Sequence, residues 1–388
     1  MKKWIPFFVL LLFASGFLLG SIFQKNQSQI LRETSKLEEV FRYIESRYVD
    51  NIDRDSLVEL AIDGTLEKLD PFATYIPAEL LEQSNEELSG KYSGIGVEYF
   101  SRNDTMTISR VLPGSPALEV GVKAGDQLLR INDRDIIAEK WGMENLVKEV
   151  RGPEGTSLSI TVLSDGRIKT LEIVRKKLIT SSIDAALMLE PGLGYIRISR
   201  FIATTYKDFM EKLEWLHDQN GMRNLVIDLR QNPGGYLEET SKILNQLIQK
   251  KDLIYLTTEG AAIGKRSYKT TGMAFFNIEK ISILVDQNSA SASEILAGAL
   301  QDLNLGIVIG QNTFGKGLVQ EQFGLRDGSA IRLSVSRFVF PSGKLLERNE
   351  GVSPNYLIDN SFFPSEYRGR DTIFKEDPYI LKAIEIMK

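Results

Sequence analysis

The sequence predicts a mixed α/β protein: one transmembrane helix, then N-terminal helices, a small β domain and an α/β core. Three observations lead to this prediction. An uncharged, mostly apolar run occupies residues 4–23, short strands with intervening glycines follow from about Ser93, and buried strands alternate with helical segments after Gly194. The length of 388 residues leaves room for two to three domains at roughly 150 residues each.

The composition excludes several classes of protein. The formal net charge is −5 and no basic tract occurs, so nucleic acid is not an expected partner. The chain has no cysteine, which excludes thiol catalysis, disulfides and thiolate zinc sites. His217 is the single histidine, so a multi-histidine metal site is excluded; the function predicted below implies no metal and no cofactor. Helical spacing before Gly221 predicts that His217 lies in the last turn of a helix, where an imidazole suits the negative helix end.

The apolar run at residues 4–23 predicts a membrane anchor. At about 1.5 Å per residue, its roughly 20 residues reach about 30 Å, which is enough to cross a bilayer. Ala14-Ser15-Gly16 resembles a signal-peptide cleavage site, but the apolar run continues directly after it, which favours an uncleaved anchor. Lys2 and Lys3 place the N-terminus in the cytoplasm, so the remainder is expected outside it, in the periplasm or the corresponding envelope compartment.

Periodicity and turn signals divide the rest of the chain. Two helices are predicted over Lys36–Tyr48, with an apolar face, and Ser56–Leu69, which ends before Pro71. Strands and helices are then predicted at Gly96–Phe100, Thr105–Val111, Gln127–Asn132, Met143–Val150, Ser157–Leu163, Tyr195–Ile198, Leu225–Leu229, Tyr236–Gln249, Ile281–Val285, Glu294–Leu300 and Ile307–Ile309. The predicted organisation is a transmembrane anchor (1–23), a helical region (24–89), a β domain (90–171) and a catalytic core (172–388).

The β domain begins with a loop suited to binding an anion. Gly94, Ile95, Gly96 and Val97 can turn successive backbone N–H groups toward one point before a strand. The loop is followed by Leu112-Pro113-Gly114-Ser115-Pro116-Ala117, Lys123-Ala124-Gly125-Asp126 and Leu128-Leu129-Arg130-Ile131-Asn132. Together these residues resemble a PDZ domain over Gly90–Leu171. The resemblance implies that C-terminal peptide segments bind between the first strand and the Met143–Val150 helix.

Ser291 is the candidate nucleophile. It lies where the Ile281–Val285 strand turns into an apolar helix, within Ser289-Ala290-Ser291-Ala292-Ser293-Glu294. Ser291 and Glu294 also have the spacing of a helix capping box, which is the structural alternative. A serine at such a turn gains from the helix dipole and from nearby backbone N–H groups. Both interpretations stay open at this point.

A serine nucleophile needs a base, and Lys316 is the candidate. A lysine can serve if its surroundings lower its pKa from about 10.4 toward 7–8, which costs about 4 kcal/mol. Gly310–Lys316 also fits the first seven positions of a P-loop, but Gly317 stands where Ser or Thr should bind magnesium. Ser329–Phe340 alternates like a strand, with Ile331, Leu333 and Val335 on one face, and no helical periodicity follows Lys316. A nucleotide site is therefore disfavoured.

A glycine cluster follows the Leu225–Leu229 strand: Asp228-Leu229-Arg230-Gln231-Asn232-Pro233-Gly234-Gly235. Backbone amides exposed after a strand can stabilise an oxyanion. The alternative is a tight loop that needs glycine for its backbone angles.

The glycine cluster, the Ser291 loop and the Lys316 segment follow one another along the chain in this order. In that arrangement they closely resemble the C-terminal processing peptidases, also called tail-specific proteases (peptidase family S41). Further matches are Leu69-Asp70-Pro71, Gly194-Tyr195-Ile196 and Pro341-Ser342-Gly343. The resemblance implies a core like that of ClpP and crotonase with an inserted PDZ domain. It assigns Ser291 as nucleophile, Lys316 as base and Gln320 as the residue that orients the lysine, and it implies an oxyanion hole at Ala292, Gly234 and Gly235. Phe72 and Asn355 depart from the family pattern.

The predicted function is a membrane-anchored serine endopeptidase that cleaves extracytoplasmic proteins near their C-termini, with the PDZ domain binding substrate tails. The resemblance also implies that Arg151 links the PDZ domain to the catalytic site, and it suggests a homodimer formed through the N-terminal helices. A loop arginine with no such role is the alternative for Arg151. For the whole chain, the alternative is a catalytically silent PDZ scaffold that only binds protein C-termini.

Overall fold

The structure is a computed structural model that describes residues 36–102, 105–139, 141–346, 350–358 and 376–388. It divides into two compact units, with the division between Tyr75 and Ile76. No helix within the described residues is both long and apolar enough to span a membrane. The predicted span 4–23 lies outside these residues.

The first unit contains two helices, α1 (36–47) and α2 (Arg54–Glu67). Helix α2 begins two residues before the predicted start because the Asp53 side chain caps it, accepting a hydrogen bond from Asp55 N at 3.1 Å. The predicted apolar face of α1 is present but largely exposed to solvent, with Leu37 at 55% and Val40 at 52%.

Strand β1 (Thr74–Ile76) and helix α3 (Ala78–Ser89) precede the β domain. The elements of the β domain are β2 (Lys91–Gly94), β3 (Val97–Arg102), β4 (Thr105–Val111), α4 (Pro116–Glu119), β5 (Gln127–Ile131), β6 (Arg134–Asp135), α5 (Met143–Val150), β7 (Ser157–Ser164), β8 (Arg167–Val174) and β9 (Lys176–Ile179). Asp165 and Gly166 both have positive φ, 50° and 76°, as the two central residues of a tight hairpin turn between β7 and β8 require. Strand β8 continues past residue 171, the predicted domain boundary, to Val174.

Two sheets make up the β domain. Strands β3-β4-β5-β7-β8 form an antiparallel sheet with β6 paired to β5, and β2 pairs separately with β9. The sheet and helix α5 enclose a core that includes Ile108, Leu146 and Ile160. Strand β3 is the edge of the larger sheet, so its outer backbone groups are available to a further strand.

The elements of the core are β10 (Ile183–Glu190), β11 (Leu193–Ile198), α6 (Thr205–Glu214), β12 (Asn224–Asp228), α7 (Leu237–Leu247), β13 (Ile254–Gly260), β14 (Gly264–Lys269), β15 (Lys280–Val285), α8 (Ala292–Asp302), β16 (Ile307–Gly310), β17 (Leu318–Gly324), β18 (Ala330–Val339), β19 (Tyr356–Leu357) and α9 (Pro378–Met387). A π-helical turn, Trp215–Gln219, continues α6 and carries His217.

The main sheet has the strand order β10-β11-β12-β15-β16-β19, and all its pairings are parallel except that of β10 with β11. One face packs on α6, α7 and α8, and the other on α9. Strands β12 and β15 are neighbours in register, with Asp228 opposite Leu284. The loops that follow them therefore leave the sheet side by side at its carboxyl edge, where ligands of open α/β sheets bind.

A second, antiparallel sheet contains β17, β18, β13 and β14. Lys316 leads directly into strand β17, so the P-loop alternative, which requires a helix there, is wrong. In β18, which confirms the predicted strand, the fully buried residues are Ala330 and Phe338, on the face opposite Ile331, Leu333 and Val335. Phe338 belongs to the hydrophobic core that the main sheet forms with α6, α7 and α8.

Candidate active site

Three loops meet at one cavity. The loop after β12 contributes Gly234 and Gly235, the loop after β15 contributes Ser291 with Ala292 at the start of α8, and the segment entering β17 contributes Lys316 and Gln320. All six line a cavity of about 540 Å³. The structure therefore brings together the residues predicted for the nucleophile, the base, its orienting residue and the oxyanion hole.

The three serines of the nucleophile loop have different surroundings. Ser289 and Ser293 are fully buried, and their hydroxyls donate to the backbone oxygens of Leu229 at 2.8 Å and Asn232 at 3.0 Å. Ser291 lines the cavity and is half-buried. The flanking serines thus bind the nucleophile loop to the glycine loop, and the middle serine faces the space that a substrate could occupy.

Ser291 has a strained backbone, with φ of 54° and ψ of −111°. A non-glycine residue in such a region costs on the order of 1–3 kcal/mol and persists only where its surroundings hold it. A nucleophilic serine on a sharp strand-to-helix turn shows the same feature in other hydrolases.

The glycine loop approaches Ser291 too closely for any side chain. A Cβ atom at Gly234 would lie 2.9 Å from both the Ser291 Cβ and the Ala292 N, and one at Gly235 would overlap the Phe201 carbonyl. Both glycines also have positive φ. The side chain of Asn232 fixes the loop by accepting from Gly234 N at 2.9 Å.

Two backbone donors of this region have no acceptor among the described residues, namely the N–H groups of Gly235 and Ala292. Both residues line the cavity. The Ala292 N–H belongs to the first turn of α8, where the helix dipole favours negative charge. The site therefore offers two donors of the kind that an oxyanion needs.

Lys316 is half-buried, and its Nζ donates to Gln320 Oε1 at 2.7 Å. Lys316 lies two residues before β17 and Gln320 lies within it. The cavity around them also includes the apolar side chains of Ile295, Leu318 and Val319. The contact between Lys316 and Gln320 is the one that the resemblance implied.

Glu294 holds the serine loop and the lysine loop together, and this role was not predicted. Its Oε2 accepts from the backbone N of Ser291 and of Lys316, both at 2.8 Å. Its Oε1 accepts from Gly315 N at 2.7 Å and from Thr313 Oγ1 at 2.6 Å. Burial raises the pKa of Glu294, and these four hydrogen bonds act against that rise.

The capping-box spacing did signal Glu294, and the hydrogen bond from Ser291 N confirms that half of the motif. The structural and catalytic interpretations of Ser291 are therefore compatible, because the backbone N binds Glu294 while the residue lines the cavity. The contacts to Thr313, Gly315 and Lys316 gave no signal in the sequence.

Helix α3 covers part of the cavity through Ser84 and Asn85. Arg332 Nη2 donates to Ser84 Oγ at 3.1 Å, and Gln322 Nε2 donates to Asn85 Oδ1 at 3.0 Å. The helix ends at Gly90, directly before strand β2 of the β domain.

The predicted peptide-binding loop lies between β2 and β3. The backbone oxygens of Ile95 and Gly96 accept from Ala117 N at 3.0 Å and Leu112 N at 2.9 Å. Their N–H groups have no acceptor within the described part of the chain. The loop, with Gly94 before it and Val97 at the start of the edge strand β3, therefore presents donors beside an unpaired strand edge.

Arg151 does not line the cavity with Ser291. Its guanidinium lies 5.1 Å from the centre of the Tyr92 ring, and it lines a separate cavity of about 190 Å³ with Glu86 and Arg200. Burial and Glu82 raise the pKa of Glu86, while the Arg151 charge lowers it. Arg200 lines both cavities.

His217 is outside the candidate site. Its Nδ1 lies 2.7 Å from Asp218 Oδ1, and its ring packs on Phe276 with centroids 5.0 Å apart. Within the described ranges, no group of three or more His, Cys, Asp or Glu side chains is placed to hold a metal ion.

Three family profiles match the chain. That of peptidase family S41 matches residues 192–358, that of the PDZ domain matches 107–164, and that of the activating protease CtpB N-terminal domain matches 20–80.

Several curated proteins and solved structures are similar to the chain. A probable CtpA-like serine protease of Staphylococcus aureus is 32% identical over 332 residues, which cover 85% of this chain and 66% of that protein. A carboxy-terminal-processing protease of Bartonella bacilliformis is 29% identical over 383 residues, 97% of this chain and 87% of that one. The fold of a solved S41 protease from Bacteroides fragilis matches 84% of this chain and 89% of its own, with a TM-score of 0.55 and 17% identity.

The fold and these matches define the class of protein as one that combines a core of the peptidase family S41 type with a PDZ domain. The chain belongs to peptidase family S41, as the resemblance to the C-terminal processing peptidases implied. It spans 66% of the length of the Staphylococcus aureus relatives.

Proposed function

We propose that the protein is a serine endopeptidase that uses a Ser291–Lys316 dyad to cleave extracytoplasmic proteins near their C-termini. The observation that carries this proposal is the single cavity lined by Ser291, Lys316, Gln320 and the glycine loop. The name of the Bartonella bacilliformis relative, a carboxy-terminal-processing protease, supports the choice of substrate end.

The proposed reaction follows from the groups in the cavity. Ser291 Oγ attacks the scissile carbonyl carbon while the neutral Lys316 amine takes the hydroxyl proton. The N–H groups of Gly235 and Ala292 stabilise the oxyanion. Gly234, whose N–H is bound by the Asn232 side chain, forms the turn that presents the Gly235 N–H. Lys316 then returns the proton to the leaving amine, and an acyl-enzyme remains. A water molecule, deprotonated by Lys316, releases the new C-terminus and restores Ser291.

Gln320 has a defined part in this scheme. Its Oε1 accepts one N–H of Lys316 Nζ at 2.7 Å, which orients the amine so that its lone pair can face Ser291. The apolar side chains of Ile295, Leu318 and Val319 in the cavity disfavour the ammonium form, as a lysine base requires.

The PDZ domain is proposed to capture substrate tails, with the terminal carboxylate at the Gly94–Val97 loop and the peptide added to the edge strand β3. We further propose that residues 4–23 anchor the protein in the inner membrane of a bacterial envelope. The exposed apolar face of α1, with Leu37 and Val40, supports a homodimer formed through these helices.

The test compares the full-length protein in detergent micelles with single variants on an unfolded protein substrate. Ser291→Ala and Lys316→Ala should each abolish turnover without adding to one another, because the two residues act as one unit. Lys316→Arg should fail as well, since a guanidinium does not deprotonate. His217→Ala is the matched control and should retain near-normal activity. A folded but inactive His217→Ala protein would overturn the dyad.

The same experiment tests the alternative of a silent scaffold. If wild-type protein binds a tail peptide at the PDZ domain but leaves the substrate intact, the scaffold function replaces the protease function.

A further inference from the structure

The loop between β14 and β15 presents two large apolar side chains to solvent. Phe276 and Ile278 pack against the core, whereas Met273 is 72% and Phe275 is 75% exposed. The exposed pair are among the most solvent-accessible large apolar residues of the described chain. An exposed apolar pair on an otherwise folded core indicates a surface for interaction.

Helix α7 and the residues after it hold the backbone of this loop in place. Thr271 N donates to Asn245 Oδ1 at 2.7 Å, and Phe275 N donates to Gln246 Oε1 at 3.2 Å. Gln249 Nε2 donates to the backbone oxygen of Phe276 at 3.0 Å. These three hydrogen bonds and the packing of the partly buried Phe276 against the core therefore fix the direction in which Met273 and Phe275 point.

Lysines surround the apolar pair. Lys250 and Lys251 follow α7, and Lys269 ends β14; all three are exposed. Thr270 Oγ1 donates to the backbone oxygen of Lys250 at 2.5 Å, and a Cβ atom at Gly272 would lie 2.8 Å from the Lys251 Cβ. The loop thus lies directly against the two lysines.

The segment around the apolar pair has a net positive charge, whereas the whole chain has a net negative charge. Residues 248–276 contain five basic and two acidic residues, against a net charge of −5 for the whole chain. Glu259 pairs with Lys265 at 2.7 Å, which leaves Asp252 as the acidic residue beside the three lysines. Lys250, Lys251 and Lys269 form no ion pair with any described residue.

We propose that Lys250, Lys251, Lys269, Met273 and Phe275 form a docking surface for an anionic lipid bilayer. Lysines attract anionic headgroups, and two outward apolar side chains can enter the boundary between headgroups and acyl chains. A bilayer fits better than a protein partner, because the apolar pair is small and the three lysines outnumber Asp252, the acidic residue beside them. This contact is independent of residues 4–23 and of the proposed proteolysis.

The test uses the absence of cysteine from the chain. Met273→Cys in the full-length protein is labelled with an environment-sensitive fluorophore, and the protein is reconstituted into nanodiscs of phosphatidylcholine or of phosphatidylcholine with phosphatidylglycerol. The emission should shift to the blue only with phosphatidylglycerol, and added salt should reverse the shift. Lys250→Glu with Lys251→Glu should raise several-fold the phosphatidylglycerol fraction needed for half of the shift.

Ile168→Cys is the matched control, because Ile168 is 69% exposed on β8 of the PDZ domain. The absence of a shift at residue 273, or an equal shift at residue 168, would overturn the proposal. A shift that appears in phosphatidylcholine alone and grows with protein concentration would show that a second copy covers the surface instead.

Discussion

At the scale of single residues, Glu294 sets the distance between the proposed nucleophile and base. One carboxylate oxygen accepts from the backbone of both Ser291 and Lys316. All four groups bound to this carboxylate are donors, so the position requires a side chain that only accepts. Without this carboxylate the two loops keep the backbone hydrogen bond from Phe314 N to the Ser289 oxygen at 3.0 Å, but the contacts at Ser291 and Lys316 themselves are lost.

Glu294→Ala should lower kcat at least about 100-fold, because a misplacement near 1 Å at a catalytic site costs that much. Glu294→Gln should lose less activity, since its amide oxygen can still accept from Ser291 N and Lys316 N; its NH2 group faces Thr313 and Gly315 instead, and the hydrogen bond from Gly315 N is lost. Turnover with a peptide substrate and near-ultraviolet circular dichroism of each variant provide the check. Equal losses in both variants would contradict this geometry.

The raised pKa of Glu294 adds a pH signature to this prediction. A carboxyl group whose pKa is higher in the folded state binds its proton more tightly there, so its contribution to stability increases as the pH falls from the raised value toward the ordinary 4.5. Urea unfolding across that window should show this increase in the wild type, and a flatter profile in Glu294→Gln.

At the scale of elements, helix α9 is joined to the glycine loop by a buried ion pair. Arg230 Nη2 lies 2.6 Å from Asp228 Oδ2 and 2.8 Å from Asp377 Oδ2, and all three residues are at most 1% exposed. Burial acts to raise the pKa of Asp228, but the charge and hydrogen bonds of Arg230 outweigh it and lower the pKa. The stability contributed by this pair is therefore present at neutral pH and lost only as the pH falls through the lowered pKa.

Asp377→Ala should lower the free energy of unfolding by about 3 kcal/mol, because it removes one partner of a buried pair together with the cap of α9. Asp377 Oδ1 accepts from Tyr379 N at 2.9 Å. The control is Glu385→Ala on the same helix, where an exposed pair with Lys382 should contribute less than about 0.5 kcal/mol. Urea denaturation of both variants measures the difference, and similar values would contradict the proposed importance of the pair.

At the scale of the whole molecule, the PDZ domain and the core meet at the cavity lined by Arg151, Tyr92 and Arg200. Arg200 also lines the candidate active site. Peptide binding can favour an active arrangement only through different affinities for two states, with a coupling of about 1–3 kcal/mol.

Arg151→Ala should therefore lower cleavage of a protein substrate several-fold and leave tail-peptide binding to the PDZ domain nearly unchanged. Cleavage assays and peptide titration on the same preparation separate the two effects. Lys148→Ala, on the preceding turn of α5, is a suitable control. If Arg151→Ala cleaves the substrate as fast as the wild type, Arg151 is a loop arginine that does not couple the PDZ domain to the active site.

The sequence predicted the features that are local. Strand β4 and helix α5 were predicted with their observed bounds, because alternation and a strong apolar face mark them. Strands β13 and β14 were not predicted, since only the neighbouring sheet gives their mixed sequence a buried side. Within the site, the role of Gln320 beside Lys316 was implied by the family resemblance, whereas the Glu294 contact to Lys316 depends on two loops distant in sequence and was not predicted.

The ion pair between Arg230 and Asp377 can form only late in synthesis, because Asp377 is added long after the residues of the candidate active site. A ribosome adds about 5–20 residues per second, so the roughly 60 residues between Lys316 and Asp377 take on the order of three to twelve seconds. Throughout that interval the chain already contains Ser291, Lys316 and both loop glycines, but Arg230 has only Asp228 as its carboxylate partner. The glycine loop is therefore held less firmly before helix α9 has been made than afterwards.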